Sequence, residues 1–371
     1  METKQVKVKR RFNIKPVLPS LISIVIGMFI GVIVLFISNP SNATEAMIRL
    51  FKGPFNFGLV KGVGDLLYYS APILLTGLSV GFAFKTGLFN IGASGQFIVG
   101  AFVAVYIAIK WTFIPAPLLW IVALLAAALV GALWAFLVGL LKAWRNVNEV
   151  ITSIMMNYIG MYMVNFLIRF SGIYDSLRNQ TQRVKVTIPS FGLDTVFPGS
   201  FANGGIVIAI VLAIVMYIIL NKTTFGFELK AVGLNRFASR YAGVNENRSI
   251  IYSMLIAGAL SGIAGGITFL ASTGRHITVV NVLAAEGFNG IAVALLGLNN
   301  PIGIIFSSMF MSYIKLGGQA IQTLGFVPEI IELMIAIILY ISALSVLFNN
   351  LLSRRKSKKE QIVREGPVVN E

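Results

Sequence analysis

The stretch FKTGLFNIGASGQFIVGAF, Phe84 to Phe102, decides how the rest of the chain is read. It is apolar enough for a membrane, yet it sets Asn90, Ser94 and Gln96 among four glycines, where a lipid-facing helix would carry Leu and Ile. Either these residues form a seam in which small side chains let helices approach closely, or they line the route of something polar. Polar groups at membrane depth are tolerated only where protein or water covers them.

Composition sets the frame. Of 371 residues 57% are hydrophobic and 12% charged, against about 25% charged in soluble domains. Apolar runs of 18 or more residues recur, each the length that a ~30 Å hydrocarbon core requires of a helix. Cysteine is absent, which excludes disulfides, iron–sulfur clusters and thiolate zinc sites. A single histidine, His276, argues against a histidine-built metal site. The net charge of +16 reads, in a membrane protein, as orientation and contact with anionic membrane lipid rather than as nucleic-acid binding.

The expected fold class is all-α: a polytopic membrane protein with about ten transmembrane helices. Hydropathy places them near 17–38, 66–84, 88–109, 113–141, 150–170, 203–220, 250–271, 286–298, 301–319 and 328–349. A basic tail (1–16), a transmembrane domain (17–349) and a second basic tail (350–371) follow from this division. The run from Val17 to Ser38 exceeds the usual 7–15-residue core of a signal peptide and reads as a retained anchor, although Ser41-Asn42-Ala43 faintly resembles a cleavage site. Two hydrophilic loops stand out, an outer one at about 172–205 and an inner one at about 221–249. Ten spans put both termini on one side. That side holds twenty Lys and Arg; the other holds Arg49, Lys52, Lys61, Lys110, Arg169, Arg178, Arg183, Lys185 and Arg275. The bias places both termini in the cytoplasm. The 286–298 segment is too short to cross alone, and 88–109 opens on glycines, so both read as broken helices. NIGASGQ (90–96) and EGFNGIAVALLG (286–297) are matching polar interruptions, one in each half, and point to two divergent inverted repeats.

Within the inner loop, Leu229 to Tyr241 reads as two short helical pieces broken at Gly233. Asn235 can cap the second piece. Ala238 and Tyr241 fall on one face with Leu234 nearby, Arg236 and Arg240 project together at i, i+4, and Gly243 offers a stop. Such an amphipathic piece suits a partner's groove, or is an ordinary solvated loop with positive-inside charges. AVGLNRFASRYAGVNENR (231–248) resembles the cytoplasmic coupling loop of permease subunits in ATP-binding-cassette importers. The likeness is closest to the nucleoside branch, related to the simple-sugar and branched-chain amino-acid permeases. GLFNIGASGQFIVGA (87–101), NEVITSIMMNYI (148–159) and GFNGIAVALLGLNNPIG (287–303) agree with it in order. In one departure, an acidic residue often stands in that family where this chain has Ser94, so no role needing charge there carries over.

The resemblance implies a transport subunit that forms a nucleoside path. Hydroxyl and base-edge hydrogen bonds would come from Asn90, Ser94, Gln96 and Asn157, and a stacking face from Phe89 and Phe288. Glu286, beside Asn281 and Asn289, either lines the path or sits at the outer interface as a helix start, where a carboxylate suits the helix dipole. Coupling to an ATPase would fall to Gly233, Asn235, Arg236, Ala238, Arg240, Tyr241 and Gly243. Glu149 reads as the last member of a capping box begun by Asn146, Lys315 and Gln322 as snorkelling groups, and Asp65 and Arg275 as rim charges. No G-x-x-x-x-G-K-[ST] motif is present, so ATP and magnesium belong to a separate cytoplasmic ATPase. The resemblance also implies a second permease subunit, similar or identical, and an extracytoplasmic substrate-binding protein received by the 172–205 loop, in the plasma membrane of a prokaryote. A sugar or amino-acid cargo is the first alternative. An ion-driven secondary transporter is the second, disfavoured by the scarcity of intramembrane acids. A membrane enzyme lacks catalytic equipment here.

Overall fold

The computed structural model describes residues 18–338, 340 and 341, so both basic tails lie outside it. The order is α1 (Leu18–Ser38), α2 (Ala43–Lys52) with a 3-10 turn at Gly53–Phe57, α3 (Leu59–Lys85), α4 (Ala93–Lys110), α5 (Ala116–Arg145) and α6 (Glu149–Phe170). A hairpin of β1 (Tyr174–Asp175) and β2 (Gln180–Thr181) follows, then α7 (Leu193–Val196), α8 (Gly205–Lys222), α9 (Thr224–Leu234), α10 (Arg236–Tyr241), α11 (Glu246–Phe269), α12 (Ala285–Leu296) and α13 (Pro301–Gln322). A last helix begins at residue 328. The protein is a helical, polytopic membrane protein. Among the described residues six helices, α3, α4, α5, α6, α8 and α11, are long and apolar enough to cross a bilayer. α12 has only 12 residues, as its short apolar run implies. α13 has 22 but carries Ser307, Ser308, Ser312, Lys315, Gln319 and Gln322.

α11 sits at the centre, packed on α5, α4 and α3. Its Gly258, Gly262 and Gly266 recur every four residues and so share one face. A Cβ at Gly262 would lie 2.2 Å from the Ala127 carbonyl oxygen, and one at Gly131 would lie 2.4 Å from that of Gly258. Backbone therefore meets backbone, the geometry by which membrane helices gain dispersion energy without a hydrophobic drive. On the far side of α5, Leu125, Leu129, Leu133, Leu137 and Leu141 form an exposed apolar ladder suited to lipid.

One end of the bundle gathers the structured 171–204 loop. There the Phe201 amide donates to Asp65 Oδ1 at 2.8 Å. Asp65 is buried and anchors this loop, rather than standing at the rim as expected. The hairpin clamps onto the extended 276–280 segment, with Thr181 N donating to Ile277 O (3.0 Å) and Val279 N to Asn179 O (2.9 Å). The opposite end carries α9 and α10.

Candidate transport junction and docking face

α3 stops at Lys85, and residues 86–92 run without helix before α4 starts at Ala93; likewise 270–284 is largely extended before α12 starts at Ala285. The first turns of these two helices meet. Ser94 Oγ donates to the Ala284 carbonyl at 2.9 Å, and a Cβ on Gly287 would sit 2.4 Å from the Ser94 backbone, so only glycine permits the contact. The paired interruptions of the sequence are thus one structural junction.

A helix start leaves amides without partners, and Gly92, at the cap position of α4, has no side chain to offer. Asn157 of α6 supplies the cap from outside. Its Oδ1 accepts from Gly95 N at 2.8 Å, and its Nδ2 donates to Ile91 O at 3.0 Å. Asn90 and Gln96 form a reciprocal amide pair, Nδ2 to Oε1 at 3.0 Å and Nε2 to Oδ1 at 2.9 Å. Asn90 also donates to Ser79 Oγ (3.0 Å), which accepts from Ser261 (2.9 Å). Asn90, Ser94, Gln96 and Asn157 are all buried, and the Phe89 ring lies on Phe84 at 4.9 Å. In this conformation these groups satisfy one another and hold the broken segment to its neighbours, as buried polar groups must.

The accessible part of the junction is on α12. Phe288 is exposed and Asn289 partly so. Glu286, in the first turn of α12, pairs with Arg275 at 3.1 Å, while Thr76 Oγ1 donates to the Glu286 carbonyl at 2.9 Å. Arg275 is therefore the partner of Glu286 and not an isolated rim charge. Lys315 does not snorkel freely: its Nζ lies 5.4 Å from the Tyr69 ring centroid. Nor does Glu149 close a capping box. Asn148 is the cap of α6, accepting from Val150 N at 2.9 Å; Asn146 ends α5 in the left-handed region; and Glu149 pairs with Lys142 at 2.8 Å.

At the opposite end α9 passes through Gly233 unbroken, and the break expected there falls at Asn235. Gly233 instead packs on the chain at Lys85–Gly87, with a hypothetical Cβ 2.4 Å from Lys85 O. Asn235 caps α10, its Oδ1 accepting from Ala238 N at 3.0 Å. Gly243, at φ +84°, ends the helix, with Gly243 N to Arg240 O at 3.1 Å and Val244 N to Ser239 O at 3.0 Å, the paired bonds of a Schellman stop. Arg236 is fastened to Glu246 at 2.6 Å and to Asn146 at 3.2 Å, whereas Arg240 is exposed. Exposed apolar side chains cluster here: Leu234 at the end of α9 and Phe237 and Tyr241, at i, i+4 on α10, are 88%, 77% and 94% exposed. Phe237 escaped the sequence reading, although its i, i+4 spacing from Tyr241 puts the two on one face of α10. Such a cluster, spread over the end of α9 and a short, firmly capped α10, suits a partner's groove.

The fold is a polytopic helical membrane protein with a buried polar junction between two helix starts and an exposed apolar cluster at one end. Residues 62–343 match the family described as the permease component of branched-chain amino acid transport systems, and the chain belongs to that family. It is 37% identical over 344 residues to the guanosine ABC transporter permease protein NupP of Bacillus subtilis, covering 91% of this chain and 96% of that one. It is 35% identical over 353 residues to the nucleoside ABC transporter permease protein NupB of Lactococcus lactis, covering 93% and 95%. A second Bacillus subtilis protein, the guanosine ABC transporter permease protein NupQ, is 27% identical over 291 residues, 75% and 89%. No solved structure matches the chain.

Proposed function

We propose that the chain is one permease subunit of an ATP-driven nucleoside importer. The observation that carries this reading is similarity to two nucleoside-type permeases along more than nine-tenths of its length. In this reading the chain crosses the plasma membrane of a prokaryote ten times, as two divergent inverted repeats in which the starts of α4 and α12 meet. Both termini and the α9–α10 face are cytoplasmic. A separate ATPase, with its ATP and magnesium, docks on Leu234, Phe237 and Tyr241, presented by Asn235, Arg236, Ala238 and Gly243, with Arg240 at the rim. Gly233 rests directly on Lys85–Gly87, so displacement of the docking helix passes straight into the segment that carries Asn90 and α4. The nucleoside passes α12 at Glu286, Phe288 and Asn289. Phe89, Asn90, Ser94, Gln96 and Asn157 frame the junction and reach substrate when α4 and α12 part. Two distinct relatives in one organism, NupP and NupQ, support a second permease that is a different chain. An extracytoplasmic binding protein delivers cargo to the 171–204 end. The test is gentle purification of the tagged chain from its own membrane. Recovery of an ATPase and a second permease supports the reading; a chain that reproducibly comes alone removes it.

A further inference from the structure

α6 has three faces. Asn157, Gly160, Met161, Val164 and Ile168 are buried. Met155, Ile159, Phe166 and Phe170 are exposed and apolar, as lipid requires. Between them, at i, i+4, i+7 and i+11, runs a third stripe of Tyr158, Tyr162, Asn165 and Arg169. Tyr158 and Tyr162 are 45% and 55% exposed. They stand at the tenth and fourteenth positions of a 22-residue helix, about 14 and 20 Å along it at 1.5 Å per residue. Tyrosines that serve lipid sit at the headgroup level; these sit at the centre of the span. Asn165 Nδ2 donates to Val280 O at 2.9 Å and Asn281 Oδ1 at 3.2 Å, which joins the stripe to the segment leading into Glu286, Phe288 and Asn289. Among the described residues neither tyrosine hydroxyl has a hydrogen-bond partner. Two hydroxyls at this depth need water or a polar ligand beside them.

We infer that the Tyr158–Tyr162–Asn165 stripe of α6 is the wall of the path that receives the nucleobase, the rings supplying a stacking surface and the hydroxyls and amide its hydrogen bonds. The inference rests on the nucleoside reading above and adds residues to it. The absence of native cysteine gives a clean test. Single variants Tyr158→Cys, Tyr162→Cys, Asn165→Cys, Ile159→Cys and Phe166→Cys are made in the assembled complex, and labelling of this chain by a water-soluble thiol reagent is timed with and without guanosine or uridine. Labelling at 158, 162 and 165 is expected to be at least about tenfold faster than at 159 and 166, and slowed by nucleoside. Tyr162→Leu is expected to raise the half-saturating nucleoside concentration about tenfold, from the worth of one base–aromatic stack, with assembly intact. Uniformly slow labelling in a complex that takes up nucleoside means that a helix or lipid seals the stripe, and overturns the inference. So does labelling without protection, or loss of the second permease in Tyr162→Leu. A wild-type complex that takes up no nucleoside removes the nucleoside reading itself, whatever the labelling pattern.

Discussion

Asn157 is the side chain on which the junction depends most, and removing it tests the account of how α4 is held. Asn157→Ala leaves two backbone groups, the Gly95 amide and the Ile91 carbonyl, without the partners they have at 2.8 and 3.0 Å. A buried polar group left unpaired costs about 1–3 kcal/mol. Interhelical hydrogen bonds in membranes average nearer ~0.6 kcal/mol, because the opened state finds other partners. Gly95 N–H belongs to the first turn of a helix whose cap position is a glycine, so no local substitute exists. The cost is therefore placed at about 2–4 kcal/mol for the pair of bonds. Asn148, the exposed cap of α6, provides the scale, since Asn148→Ala should cost about 1 kcal/mol. Thermal unfolding of the purified complex in nanodiscs should order the proteins wild type, Asn148→Ala, Asn157→Ala, with the larger step at Asn157 and reduced uptake. If Asn157→Ala unfolds with, or above, Asn148→Ala, the external cap is not what secures α4 and the reasoning fails.

Other perturbations follow from the same geometry. Gly287→Val places a side chain against the Ser94 backbone and should abolish uptake even where the chain still inserts, as seen by membrane fractionation. Phe237→Ser with Tyr241→Ser should strip the ATPase from the purified complex while the chain's own unfolding temperature holds; retention of the ATPase would show that another surface docks it. Arg236→Glu sets two carboxylates together in place of the Glu246 pair, so uptake should fall sharply and be partly restored by adding Glu246→Arg. Glu286 faces both Arg275 and Lys315, so Glu286→Gln strands two cations and should lower the unfolding temperature more than Arg275→Gln, which leaves Glu286 with Lys315; an equal or smaller drop at Glu286 would refute this.

Much of the architecture was legible because membrane helices announce themselves. A ~30 Å core demands long apolar runs, and α3, α4, α5, α6, α8 and α11 lie where those runs do. The short α12 and the non-helical start to the 88–109 segment were visible for the same reason. Asn235 was read correctly as a cap because its geometry is local. Rival local readings were harder. Asn146 and Asn148 both precede the same apolar run, and only the fold shows that one ends α5 while the other starts α6. Gly233 reads as a breaker in isolation, whereas its use is close approach to Lys85–Gly87, a contact far away in sequence. The pairing of Glu286 with Arg275 crosses an extended segment that no periodicity reveals. The tyrosines of α6 were missed because amphipathicity in a span is weak: Asn157, Asn165 and Arg169 are spread along a mostly apolar helix, and two hydroxyls hardly alter its hydropathy.

The central claim is that this chain moves nucleosides under the power of a separate ATPase. Its most direct test is uptake of radiolabelled guanosine and uridine by proteoliposomes holding the purified complex, with ATP and magnesium supplied on the α9–α10 side. The account predicts accumulation above the external concentration that requires ATP and stops with Phe237→Ser/Tyr241→Ser. Uptake that proceeds equally without ATP, or follows an imposed ion gradient instead, would contradict it.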